Sequence, residues 1–285
     1  MKFLTLIIAV ALFFSSCGST AINQIDKSVN EESESAEKVE RSEPMVIGEE
    51  ISYEGDSIIM KGYLAYNKNL ATKRPGILVV HEWWGHNEHS RAVAEKLAKQ
   101  GYIAFALDMY GNGKKAEHPK DAGPFAGAVM NDFAGAKERF NAALDVLRNT
   151  EMCNADQIGA IGYCFGGGVV LNMARQQADL DAVATFHGSI GAIEKATPGS
   201  VKGKVLVMNG ADDPFVSADA ITSFKAEMDS AQVDYEFVNY EGAVHAFTNP
   251  AATEKGAQFD LPLAYNADVD QRSWAKLMAF LEEVF

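Results

Sequence analysis

The sequence predicts an α/β fold with a mostly parallel central sheet and helices packed on both faces. Three observations carry that expectation. Short apolar runs rich in branched and aromatic residues recur along the chain. Amphipathic stretches of roughly 10–18 residues separate them, which is the spacing of βαβ units. The 285 residues are 47% hydrophobic, enough apolar material for one sizeable core.

The first apolar segments, Ile58–Met60 and Gly62–Tyr66, read as an early pair of strands. Ile77–Val80, Ile103–Leu107, Ile158–Ile161, Val183–Phe186, Val205–Met208 and Tyr235–Val238 read as further strands. Helical periodicity runs through Ser90–Lys99, Asp132–Asn149, Gly167–Gln177, Ala218–Ser230 and Val269–Glu283. Strands that are apolar throughout belong to a sheet covered on both faces. Ligands of such sheets bind beyond the carboxyl ends of the strands, so the search for a site narrows to the loop after each strand.

Upstream of this region the chain reads as an address and a tether. Lys2 precedes an apolar run from Phe3 to Phe14, interrupted only by Thr5. That run is too short for a membrane-spanning helix of about 20 residues and suits a signal-peptide core. Ser15, Ser16, Cys17 and Gly18 follow, and together they resemble a bacterial lipoprotein signal. Residues 1–16 are therefore expected to be a signal peptide, with Cys17 the acylated residue of an exported protein in the periplasm or envelope. Residues 17–44 lack large apolar clusters and carry six glutamates between Glu31 and Glu43. Such a stretch cannot bury enough surface to offset its ordering entropy, so a solvated acidic tether is expected. One folded domain is expected over residues 45–285. The formal net charge of −14 argues against nucleic acid as a partner, and against membrane contact other than through the lipid anchor.

The most informative segment is Ile158-Gly159-Ala160-Ile161-Gly162-Tyr163-Cys164-Phe165-Gly166-Gly167, an apolar strand entering Gly-x-Cys-x-Gly with a helix to follow. This is the strand–turn–helix context of a nucleophile elbow. Its glycines let the chain turn sharply, and the central side chain sits at a helix start, where the dipole favours an anion. The N–H of Phe165 then points at a developing oxyanion. Taken alone, the motif is also compatible with a buried structural cysteine. Cys153 offers no disulfide, because the strand between it and Cys164 keeps the two far beyond bonding distance.

The partners follow in order. Asp212 and Asp213 lie after the strand at Val205–Met208, and His245 lies in the loop after Tyr235–Val238. The order nucleophile, acid, histidine is that of the α/β-hydrolases. His245 would exchange a proton with Cys164, while an aspartate on its other nitrogen fixes the tautomer. Spacing does not choose between Asp212 and Asp213. His81-Glu82 with His86 is one residue too long for a zinc-binding His-Glu-x-x-His, and it leaves a strand rather than riding a helix, so no metal is expected.

At these residues the chain resembles the dienelactone hydrolase family, from about Ile51 to the C-terminus. Gly162–Gly167 resembles that family's cysteine elbow, and His245-Ala246-Phe247 its histidine loop. Gly210-Ala211-Asp212-Asp213-Pro214-Phe215-Val216 resembles its acid loop, which selects Asp213. The segment Val79–Gly85 resembles the one that carries a glutamate beside the nucleophile. By that resemblance Glu82 interacts with the Cys164 thiol and takes part in its activation, and the Trp83 N–H is the second oxyanion donor. The resemblance implies an α/β-hydrolase fold, a small-molecule ester or lactone as substrate, and no cofactor. Trp84, Tyr110 and Phe247 are the candidates for a substrate pocket.

Two positions depart from the family. Its members hold a substrate carboxylate with arginines near Asp-x-Tyr and just after the catalytic histidine, and here Asn112 and Asn249 stand in those neighbourhoods. Neutral amides do not replace bidentate guanidinium groups. Lys114 and Lys115 are the nearby cations, and a chloroaromatic dienelactone is not the expected substrate. Two rival functions share this sequence: a thioesterase or peptide-bond hydrolase on the same machinery, and a protein that binds a ligand on a hydrolase fold without turnover. His86, His89 and His118 read as surface loop residues, Asp108 as a residue that shapes its loop, and His187 receives no role.

Overall fold

A computed structural model of the chain describes residues 43–285; the expected signal peptide, Cys17 and nearly all of the tether lie outside the described residues. The chain begins with an antiparallel hairpin of β1 (Val46–Gly55) and β2 (Ile58–Asn67). Asp56 and Ser57 turn it with φ of 54° and 53°, the left-handed pair that a two-residue hairpin demands. The two early strands expected between Ile58 and Tyr66 are thus one strand, and its partner is the more polar segment before it. Gly62 looks like a break but lies inside β2, where a Cβ would run into the Phe105 ring.

From there strands and helices alternate. The elements are β3 (Arg74–Val80), α1 (Glu88–Lys99), β4 (Ile103–Leu107), α2 (Pro119–Asn131), α3 (Phe133–Arg148), β5 (Cys153–Tyr163) and α4 (Phe165–Arg175). They continue with β6 (Ala182–Phe186), β7 (Lys204–Gly210), α5 (Ala218–Ser230), β8 (Tyr235–Tyr240), α6 (Ala252–Phe259) and α7 (Ala267–Val284). The eight strands form one sheet in the order β1-β2-β4-β3-β5-β6-β7-β8, parallel from β4 onward. The chain winds outward from β3 to β4 in one direction and from β5 to β8 in the other. The crevice at that reversal lies between β3 and β5.

The period-two alternation of strand side chains sorts them onto two buried faces. Leu78, Val80, Phe105, Ala160, Val183 and Val207 pack under Phe140 and Leu144 of α3, Val170 and Met173 of α4, and Phe224 of α5. Their sequence neighbours Ile77, Val79, Ala104, Ile161, Ala184 and Leu206 meet Val93 and Leu97 of α1 and Leu277 and Leu281 of α7 on the opposite side. Two helices escape the sequence pattern. α2 starts at Pro119 with the His118 ring accepting the Lys120 N–H at 3.1 Å, and it contains Pro124 and two glycines that dilute its periodicity. α6 has only eight residues.

A buried ion pair fixes the long loop after β6. Arg175 on α4 meets Glu227 on α5 at 2.8 Å, and its guanidinium also donates to Ile190 O at 3.0 Å and Gly191 O at 3.2 Å. Glu227 accepts the Ala196 N–H at 2.8 Å, so both partners spend their remaining valence on the loop. That loop carries Ser189 to the carboxyl edge of the sheet.

Candidate active site

Four strand ends converge on one cleft. Cys164 follows β5 with φ 53° and ψ −115°, a conformation that costs a side-chain-bearing residue energy and is held by what surrounds it. Its N–H donates to Phe186 O at 3.1 Å, and its carbonyl accepts the Gly167 N–H at 3.1 Å. A Cβ on Gly162 would strike the backbone of Gly166, and one on Gly166 would strike the carbonyls of Val80 and His81. The elbow therefore presses on the end of β3, the segment that carries Glu82 and Trp83. Phe165 is the first residue of α4, so its N–H has no acceptor within the helix.

His245 follows β8, and its Nδ1 lies 2.7 Å from Asp213 Oδ2. Asp213, which follows β7, is buried, and its Oδ1 accepts the Phe215 N–H at 2.8 Å, whereas Asp212 is exposed. The geometry thus singles out Asp213. The other side of the imidazole faces Cys164. Burial alone would strip the proton from His245, but the Cys164 charge, hydrogen bonds to Asp213 and Cys164, and the Asp213 charge together raise its pKa to about 10.

The segment after β3 is held from the neighbouring β4 loop. Asp108 accepts the N–H groups of Tyr110 and Gly111 at 2.9 Å each and of Gly113 at 2.8 Å, which sets that loop's shape. The Tyr110 hydroxyl donates to Trp83 O at 2.9 Å. His81 is buried with Nε2 accepting the Met109 N–H at 3.2 Å, so Nδ1 donates to Glu82 O at 2.6 Å. Glu82 is also buried, and its Oε2 accepts from the Asn249 amide at 2.5 Å. The partner the structure gives Glu82 is thus Asn249, one of the two asparagines that depart from the family pattern.

Cys164 and His245 open onto a cavity of about 400 Å³. Its walls are Trp83, Ala126, Phe165, Ser189, Phe215, Val216, Leu261 and Leu263. The expected pocket residues lie elsewhere. Trp84 is buried between Trp83 and Phe259, with ring centroids 5.0 and 6.2 Å away. Tyr110 spends its hydroxyl on Trp83, and Phe247 is fully buried beneath His187. Each packs behind a wall rather than forming one. Phe215 was legible only as part of the acid loop, and it stands edge-on to His245 at 5.0 Å. Leu263 comes from the α6–α7 connection, and its bridge to His245 leaves no trace in local sequence.

Residues 60–285 match the sequence profile of the dienelactone hydrolase family. The chain belongs to that family. As a dienelactone hydrolase-like protein it is a hydrolase. A relative from Aquifex aeolicus named a carboxymethylenebutenolidase is 26% identical over 208 residues, covering 71% of this chain and 88% of the relative. The protein usf of Aquifex pyrophilus is 27% identical over 242 residues, covering 83% of this chain and 99% of usf. Among solved structures, m3DLH superposes with a TM-score of 0.79 at 35% identity, over 84% of this chain and 99% of that one. A dienelactone hydrolase-like promiscuous phosphotriesterase from metagenomic libraries reaches a TM-score of 0.77 at 30% identity, with the same coverage of 84% and 99%.

This hydrolase also buries histidines outside the Cys164–His245–Asp213 set. His86, expected on the surface, is buried with neither ring nitrogen hydrogen-bonded, and its pKa falls to about 3 through burial, then the charges of His81, Arg91 and Lys115. Burial also lowers the pKa values of His81 and His187. Below the ordinary histidine pKa of about 6.5 the unfolded chain takes up these protons and the folded chain does not. Unfolding is therefore favoured as pH falls, by about 1.4 kcal/mol per pH unit for each such histidine. Urea melts between about pH 6.5 and 5 are expected to show this decline, and His86→Leu to remove one proton from its slope. An unchanged slope in the variant would mean that His86 takes up a proton in the folded state.

Proposed function

We propose that this hydrolase cleaves small esters or lactones by forming a thioester on Cys164. The observation that carries the reading is His245, hydrogen-bonded to buried Asp213 on one side and facing Cys164 on the other, at the wall of one cavity. Cys164 gives its thiol proton to His245 and its Sγ attacks the substrate carbonyl carbon, a C–S bond forms, and the carbonyl electron pair moves onto oxygen. The N–H groups of Phe165 and Trp83 receive that charge. When the intermediate collapses, the C–O bond to the alcohol breaks and the leaving alkoxide takes the proton from His245. Water then attacks the thioester, His245 takes its proton, and the C–S bond breaks to release the acid. Asp213 holds the imidazole in the tautomer this cycle uses.

The test is hydrolysis of p-nitrophenyl acetate by the reduced protein, with rapid acid quench and mass spectrometry of the Cys164 peptide. Release of p-nitrophenolate with an acetyl group on Cys164 is expected. Turnover with the label on another residue, or no turnover, overturns the reading.

The same proposal includes export and acylation at Cys17, supported by the apolar run Phe3–Phe14 and the small residues after it. Cys17→Ser is expected to move the protein from the membrane pellet of its host to the soluble fraction. Equal partition of both forms would remove the anchor from the account.

A further inference from the structure

We infer that the acyl part of the substrate is uncharged and apolar, so that esters and lactones bearing a carboxylate are poor substrates. This rests on the esterase reading above and adds a selectivity to it. Members of the family that the chain resembles hold a substrate carboxylate with arginines; Asn112 and Asn249 already depart from that pattern, and the walls of the cavity carry the departure further. Among the described residues no lysine or arginine lines the cavity, and apart from Cys164 and His245 its polar side-chain groups are the uncharged Ser189 hydroxyl and Trp83 indole. The positive charge of His245 is committed between Asp213 and Cys164. The lysines near these segments lie outside the lining: Lys115 pairs with Glu88 at 3.9 Å, Lys114 lies over the Phe125 ring at 6.0 Å, and Lys255 lies over the Trp84 ring at 4.1 Å.

Asn249 completes the argument. It stands just after the histidine loop, and its amide donates to Glu82 at 2.5 Å. An arginine on that carboxylate would bring a cation to the cleft, whereas the amide brings none. A carboxylate entering this cavity loses its hydration without gaining a cationic partner. An alkyl chain gains contact with Phe215, Val216, Leu261 and Leu263. The volume of about 400 Å³ lies near the lower end of ordinary ligand pockets, which confines the acyl group to a short one.

Two esters of one shape test the inference: p-nitrophenyl 4-methylpentanoate and mono-p-nitrophenyl succinate, which exchange an isopropyl group for a carboxylate. With the enzyme-free rates subtracted, kcat/KM is expected to be at least about 100-fold higher for the neutral ester, the scale of an unpaired charge in an apolar site. Phe215 is 58% exposed at the mouth, so Phe215→Arg adds a guanidinium without disturbing the core. In that variant the ratio is expected to narrow at least tenfold. A wild-type ratio near one, a preference for the succinate ester, or a ratio that Phe215→Arg leaves unchanged overturns the inference while p-nitrophenyl acetate is still turned over. Failure to turn over p-nitrophenyl acetate is the separate failure of the esterase reading, and the inference falls with it.

Discussion

Replacing Cys164 with alanine is expected to lower kcat/KM for p-nitrophenyl acetate by about 10³-fold or more and to leave the fold intact. Both halves follow from the geometry. Cys164 occupies φ 53° because glycines on either side let the chain turn there and because its own N–H and carbonyl are bonded into the elbow. Alanine keeps the Cβ and all of those backbone bonds, so it inherits the same strain and the same support. It lacks only the sulfur. Whatever rate survives measures what the oxyanion donors and the cavity contribute without a nucleophile. Circular dichroism and thermal unfolding superimposable on wild type would make the comparison clean. Equal rates in the two proteins would instead point to a ligand-binding protein on a hydrolase scaffold. A thioesterase would show the same loss in the variant and differ only in preferring thioesters.

The sequence made the site legible to very different degrees. Cys164, Asp213 and His245 each follow an apolar strand and sit next to residues with a steric reason to be there, so position along the chain predicts position at the sheet edge. The inner strands were legible because both faces of the sheet are buried there, which makes their central residues apolar; β8, at the far edge, turns Glu236 and Asn239 to solvent and showed through Tyr235, Phe237 and Val238. β1 was not legible, because it lies at the sheet edge with its glutamates toward solvent and reads like a loop. The pocket was misread for a physical reason. Aromatic residues near the catalytic motifs were taken for walls, but Trp84, Tyr110 and Phe247 are large enough to be recruited as core beneath the loops. Trp83, Phe165, Phe215 and Val216 do line it from within the quoted motifs, but Leu261, Leu263 and Ala126 carry no local signal and reach the site only through tertiary packing. Asn249 was noticed as a missing arginine, and only its distance to Glu82 gave it a partner.

Asp213→Asn is expected to be nearly as damaging as loss of the nucleophile, lowering kcat/KM by about 10³–10⁴-fold, and it carries a pH signature that simple unfolding would not. In the wild type, Asp213 accepts the Nδ1 proton of His245 at 2.7 Å, which leaves the other nitrogen to serve Cys164 and the leaving group. Asparagine can turn its NH₂ toward the ring, which favours the opposite tautomer and takes the proton from the nitrogen that needs it. It also removes both the hydrogen bond and the charge that help raise the His245 pKa to about 10. The protonated ring is the form that delivers a proton to an alkoxide leaving group. For an alkyl ester, wild-type kcat/KM is therefore expected to fall as pH rises through about 10, while in Asp213→Asn the fall begins at lower pH. A p-nitrophenyl ester expels a phenolate that needs no proton, so its rate should not follow this limb in either protein. Equal alkaline limbs for the two kinds of ester would show that His245 does not protonate the leaving group. An unshifted limb in the variant would show that Asp213 does not set the charge of the ring.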